Sequence, residues 1–354
     1  MVHLQRRHLG LDNTRSFLLG LAASVIAVIL LALVPVPYVV YEPGTAEDVR
    51  PMVKVAGAKD KEEGAFVLTT VEVTFANVFK FVAAGFNPNA QLFRQEDILR
   101  GRTRNDYSAR QKLTMRTSQS NAIEAAYNAI HIPYEVKDSA IVVTNIVPGT
   151  GAEGVLRPGD ALLALNGKQI RSADDVPASI EGLSDGDKIT VKFKRGDATR
   201  EEEIQLTPLP GSEPPRSGIG IGYAALQRVV SADPAKQADI AVGHIGGPSA
   251  GLMFSLEIVN RLTAGDITRG RIVAGTGEIT PKGEVLPIGG VRHKVVAADR
   301  ERAAVFFVPA DNAAEAEKKA RDIGSGMAIV PVSTIQDALR YLESLEPEAS
   351  AEGG

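Results

Sequence analysis

An α+β fold is predicted by three features of the sequence. The middle is strand-rich, the C-terminal third alternates short β-branched runs with amphipathic helices, and one glycine-rich turn leads straight into a helix. A long apolar run precedes all of these. With 354 residues the chain has room for about two domains. Hydrophobic residues at 44% and charged residues at 23% describe a folded protein. A net charge of −4 and a pI near 5.9 give no electrostatic footprint for nucleic acid. The absence of cysteine excludes disulfides and cysteine-ligated zinc, and the five histidines form no HExxH, so neither a metal nor a cofactor is expected.

Residues 16–41 carry no charge, residues 17–34 are almost wholly apolar, and Arg6, Arg7 and Arg15 come before them. Such a run spans a bilayer as a helix with its basic side in the cytoplasm. The expectation is a cytoplasmic N-terminus over 1–15, a single transmembrane anchor over 16–41, and everything after about Glu42 extracytoplasmic. A buried core helix fits poorly because the run is too long and uniform, and no A-x-A cleavage site follows it to mark a removed signal peptide.

After a polar connector over 58–64, residues 66–73 have the β-branched richness of a strand. Residues 118–130 read as a helix with Ser118 able to cap its start. Residues 141–150 and 161–165 read as strands, followed by a tight Asn166-Gly167 turn, with further strands at 188–194 and 203–206. Residues 211–218 are a linker, and 218–224 and 239–242 read as short strands approaching the segment described next. After residue 294, helices at 295–302 and 312–322 alternate with strands at 304–309 and 328–332, before a last helix through residue 345. Residues 346–354 read as a mobile tail.

The organising stretch is Gly246-Gly247-Pro248-Ser249-Ala250-Gly251. Leu252, Leu256, Val259 and Leu262 recur at spacings of four and three, so a helix with one buried face starts just after Ser249. A helix start offers unsatisfied N–H groups to an oxyanion. Gly247 and Pro248 shape the turn, Ala250 belongs to the same oxyanion region, and Gly251 permits close backbone approach. The serine also needs a base. Lys294 taken alone reads as a solvated charge, although Val291, Val295 and Val296 offer apolar surroundings that favour its neutral form. His244 and His293 are the alternatives of the commoner Ser-His type, His293 reading as exposed. Thr276 either orients the lysine or caps a turn before Gly277.

GPSAG, then TGEIT at 276–280, then VLPIGG at 285–290, closing on a lysine 45 residues after the serine, closely resembles the proteolytic domain of Lon-type proteases. The resemblance implies a Ser249–Lys294 dyad with Thr276 beside it, a Lon-type domain over 218–345, and a ring-forming homo-oligomer such as a hexamer. Ser118-Gln119-Ser120 and its alanine-rich helix resemble the early helix of such domains, so 60–130 is expected to be the first part of that fold. The run LRPGD-x-LL-x-LNG at 156–167 is similar to bacterial PDZ domains, placing one over 131–209 as an insertion. A peptide in the PDZ groove is a plausible partner, although no GLGF-like carboxylate loop is visible. The sequence departs from Lon in two ways: no GxxxxGK[ST] phosphate loop occurs, and Ile245-Gly246 stand where Lon enzymes commonly carry Lys-Asp. The expected function is ATP-independent serine endopeptidase action on unfolded or flexible proteins. The competing reading is an anchored PDZ adaptor with a catalytically silent Lon-like scaffold.

Overall fold

The computed structural model describes residues 9–58, 64–211, 217–243 and 245–346. His244 and the expected tail beyond residue 346 therefore lie outside the described residues, as does most of the connector and of the linker. The chain divides into two compact units, one made of residues 1–44 and 71–101 and the other of residues 45–70 and 102–354.

The first unit begins with α1 (Leu9–Leu33), in which Thr14–Leu33 is long and apolar enough to cross a bilayer. Pro35 and Pro37 end the helix, because proline neither donates to a helical ladder nor permits the preceding residue an easy helical conformation. Residues 35–41, expected within the anchor, are instead the start of strand Pro35–Asp48, which pairs antiparallel with Gln91–Arg94 through Tyr38↔Arg94 and Tyr41↔Gln91. Next come α2 (Val78–Gly85), capped by the Asn77 side chain, and the single turn α3 (Gln95–Leu99). Val40, Ala76 and Ala84 form this unit's small core with Tyr38 and Phe81. Lys80 pairs with Glu42, which also accepts from Asn87 Nδ2 at 2.9 Å.

The second unit holds a larger core. Strands Ala328–Val332, Val305–Pro309 and Ile272–Gly275 lie side by side and parallel, and Ile272–Gly275 also pairs in parallel with residues 65–68 of strand Ala65–Asn77. The middle strand Val305–Pro309 is buried throughout, as a parallel strand covered on both faces must be. α4 (Arg104–Ala129) is far longer than the helix expected at 118–130. Its true start is Thr103, whose side chain accepts from Asp106 N in a capping box, while Ser118 sits mid-helix and caps nothing.

A second sheet has the order Ile221–Ser231, Tyr134–Ile146, Ala161–Leu165, Lys188–Arg195, Ala198–Gln205, all antiparallel. Alternation buries Ile189, Val191 and Phe193 along one strand against Ile141, Leu162, Leu165 and Ile204. The short helix α5 (Asp175–Ile180) contributes Val176 to the same cluster. Asn166 and Gly167 both take positive φ (47° and 75°), the type I′ geometry expected of that pair. Asp160 of the LRPGD run is buried because it accepts two bonds from the Arg195 guanidinium, at 2.8 and 2.7 Å, and one from Arg157 N. The strand expected near Gly218 as part of the approach to Ser249 belongs to this sheet instead: Ile221–Ser231 pairs along its length with Tyr134–Ile146.

The central helix is α6 (Gly251–Leu262). Only one buried face was expected, yet every residue from Gly251 to Arg261 is buried. The polar side is accommodated by local partners: Glu257 pairs with Arg261 at 2.7 Å, Arg261 Nη2 donates to Arg50 O, and Asn260 Oδ1 accepts from Ile267 N. α7 (Val291–Arg300), α8 (Ala313–Asp322) and α9 (Ile335–Glu343) complete the unit. α7 starts four residues earlier than expected, which puts Lys294 inside its first turn instead of ahead of it.

Candidate active site

Ser249 lies in the loop ahead of α6, half-buried, while Thr276 and Lys294 are buried. Gly290 adopts φ 72° and so starts α7 at an angle a side chain would resist; both His293 N and Lys294 N donate to its carbonyl. That turn delivers Lys294 Nζ to 2.6 Å from Ser249 Oγ and 2.8 Å from Thr276 Oγ1. Burial alone brings the lysine from its ordinary 10.5 down to about 7. Val291, Val295 and Val296, expected to surround it, are all buried. His293 is buried as well, contrary to its reading as an exposed residue, because α7 packs its first turns into the core.

The hydroxyl of Thr276 has one proton, and it is donated to the Ser249 carbonyl at 3.0 Å. Toward Lys294 the threonine oxygen is therefore an acceptor. One lysine N–H turns to Thr276, and in the neutral amine this leaves the nitrogen lone pair for the Ser249 hydroxyl. Gly277 N also donates to Ser249 O at 2.8 Å, so the serine backbone is fixed by two bonds from the TGEIT segment. Strand Ile272–Gly275 positions that segment, and Thr276 N donates to Phe307 O in the neighbouring strand.

The four other residues singled out around the serine have distinct parts. Gly247 takes φ 88° and its N–H donates to Gln111 O, so it makes the turn and is not available to an oxyanion. Pro248 has no N–H, and its carbonyl accepts from Ser118 Oγ at 2.7 Å. Gly251 is a matter of space: a Cβ there would stand 2.8 Å from Ile279 Cγ2 and from Ser118 Oγ. Its N–H is turned back to Pro248 O at 3.4 Å. The Ala250 N–H, at the helix N-cap, donates to no acceptor among the described residues.

Reasoning from sequence missed how much of the site α4 holds. Gln111 and Ser118 grip the serine loop, and Asn121 Nδ2 donates to Ile279 O in the TGEIT segment at 3.1 Å. Residues 111 and 118 are seven apart and share a helix face, a spacing visible in the sequence although the partners are 130 or more positions away.

Residues 239–344 match the family profile described as the Lon protease (S16) C-terminal proteolytic domain, which takes in Ser249, Thr276 and Lys294. This chain carries a Lon-type proteolytic domain. Residues 128–206 match the PDZ domain. Across the Lon-type domain, the Lon protease of Azospirillum brasilense is 40% identical over 111 residues, 29% of this chain and 14% of that protein. The Lon protease of Vibrio parahaemolyticus is 36% identical over 101 residues, 28% of this chain and 13% of that protein. The chain thus spans only 13–14% of the length of these curated relatives. Among solved structures, the PDZ domain of the SdrC-like protein from Listeria monocytogenes is 24% identical and covers 25% of this chain and 93% of its own, with a TM-score of 0.23.

Proposed function

We propose that this chain is a membrane-anchored serine endopeptidase in which Ser249 is the nucleophile and Lys294 the general base. The observation that carries the reading is a buried lysine nitrogen, brought to about 7 by desolvation, 2.6 Å from a hydroxyl at a helix start. Neutral Lys294 takes the Ser249 proton as Oγ bonds to the scissile carbonyl carbon, and the resulting ammonium gives that proton to the departing amine. Thr276 keeps the lysine nitrogen aligned. Ala250 N–H and Ser249 N–H, which donate to no acceptor among the described residues, are read as the main-chain donors to the oxyanion. Water then attacks the acyl-serine as Lys294 accepts its proton, and the ammonium returns that proton to Ser249 Oγ as the acyl–oxygen bond breaks, releasing the acid and restoring both groups.

With no phosphate loop in its 354 residues, the chain is read as cutting unfolded or flexible segments without nucleotide. α1 is read as the anchor, with Arg6, Arg7 and Arg15 on the cytoplasmic side and the Lon-type and PDZ domains extracytoplasmic. The PDZ sheet offers edge strands to which an extended substrate segment adds. Assembly into a closed ring, such as a hexamer, accords with the Lon-type domain. The test is cleavage of labelled casein by the detergent-solubilised chain without nucleotide, beside Ser249→Ala and Lys294→Ala. Activity lost in both variants, with fluorophosphonate labelling at Ser249 in the unmutated chain, supports a Ser-Lys peptidase. Casein and peptide binding with neither cleavage nor labelling would replace it with an adaptor.

A further inference from the structure

Outside α1, the three most exposed large apolar side chains among the described residues all belong to the short helix α2 and its end: Phe79 at 58%, Val82 at 52% and Phe86 at 85%. With Ala83 they fall at positions i, i+3, i+4 and i+7, one continuous stripe. The opposite side of the same helix is already used, since Ala84 is buried in the first unit's core with Phe81 packed against it, and Lys80 is paired with Glu42. A helix apolar on both sides, with one side bare, requires a second apolar medium.

The hydrogen bonds at the start of α2 tie it to the end of α1. The last carbonyls of a helix have no partners within it, and in hydrocarbon such groups are costly. Here Ala32 O accepts from Asn77 Nδ2 at 2.7 Å and Val34 O accepts from Val78 N at 3.0 Å. The end of α1 is thus capped by the first residues of α2. The apolar stripe starts at the point where the twenty residues Thr14–Leu33 have run about 30 Å, one hydrocarbon thickness. The stripe from Phe79 to Phe86 is itself about 10 Å long. A second copy of the chain is the poorer occupant. A face about 10 Å long and about 10 Å wide is far below the roughly 800 Å² per partner that stable protein contacts bury.

We infer that α2 is a membrane-surface helix: Phe79, Val82 and Phe86 insert into the boundary between headgroups and acyl chains of the bilayer that α1 spans. The inference rests on the reading of α1 as an uncleaved anchor. It gives the first unit two attachments to the bilayer, one across it and one along its outer face.

The chain has no tryptophan, so a single introduced one reports alone. The full chain bearing Phe86→Trp, or Phe79→Trp, is reconstituted in phosphatidylcholine vesicles with bromine placed either near the headgroup or near the bilayer centre. Val25→Trp, in the middle of α1, is the companion. The expected result is loss of Phe86→Trp and Phe79→Trp emission, greater with the shallow bromine, and loss of Val25→Trp emission, greater with the deep one. Quenching at Val25→Trp with neither α2 tryptophan affected would overturn the surface helix and leave the anchor standing. If those unquenched tryptophans emit at short wavelength, another protein surface covers the stripe. No quenching at any site would remove the anchor and the inference together.

Discussion

Replacing Lys294 by methionine should abolish peptidase activity and at the same time make the protein more stable. In the unfolded chain the lysine holds its proton up to about 10.5, whereas in the folded protein it releases it at about 7. Between those values the unfolded state binds more protons, so this group makes stability rise with pH. At about 1.36 kcal/mol per tenfold change in proton affinity, the whole span is on the order of 5 kcal/mol, of which about 3 is recovered between pH 7 and 9. Below pH 7 both states are protonated and the full penalty is present. Methionine fills much the same unbranched volume without a charge. It forfeits the bonds to Ser249 and Thr276, at about 1 kcal/mol each. The variant should therefore exceed the unmutated protein by about 3 kcal/mol at pH 6, and the gap should close as pH approaches 9. Urea denaturation of both proteins in the same micelles, followed by circular dichroism from pH 6 to 9, measures it. A difference that stays flat with pH, or a variant less stable at pH 6, would refute the neutral buried lysine on which the mechanism depends.

The same lysine sets the pH dependence of turnover: casein hydrolysis should climb about tenfold per pH unit below about 7 and level off above it, a limb that Ser249 labelling rates should reproduce. Thr276→Val keeps the shape but removes the acceptor that turns the lysine. It should slow cleavage on the order of 10²-fold with a urea midpoint close to that of the unmutated chain, and an unchanged rate would remove Thr276 from the site. Arg261→Ala strands the Glu257 carboxylate in the middle of α6, where burial already pushes that group up. It should cost about 3–5 kcal/mol by denaturant titration, most of which the double change with Glu257→Gln should restore.

The serine loop was legible because everything that defines it is local. A positive-φ glycine, a proline and a helix start occupy six consecutive residues, and the TGEIT and VLPIGG segments follow within fifty. Lys294 was legible only in that company. What escaped the sequence was tertiary. The first half of α4 is polar, its buried residues running from Met115 to Tyr127, so periodicity finds only the second half. The Thr103 capping box was present in the letters but opens on Arg104-Asn105, with no apolar run to announce a helix. Glu257, Asn260 and Arg261 look like the wet side of an amphipathic helix: Glu257 is held by Arg261 of the same helix, while the partners of Arg261 and Asn260, Arg50 and Ile267, belong to other segments. The short strand expected at 218–224 is assigned toward the serine because Tyr134–Ile146, the neighbour of the observed strand Ile221–Ser231, lies some eighty residues earlier, beyond the reach of turn signals.

The pairing of Ile272–Gly275 with residues 65–68 has a consequence for how the protein comes into being. Thr69 Oγ1 donates to Gly275 O across 206 positions, and the whole PDZ sheet is threaded between those two residues. Closing so long a loop is slow, and a chain folds in the order in which it is synthesised. The inserted sheet is contiguous and can form as soon as its own residues are made. The parallel sheet waits for its last strands, Val305–Pro309 and Ala328–Val332. On that order the inserted sheet comes first, and the strand that leads into Thr276 gains its last parallel neighbours only when the final fifty residues have been made.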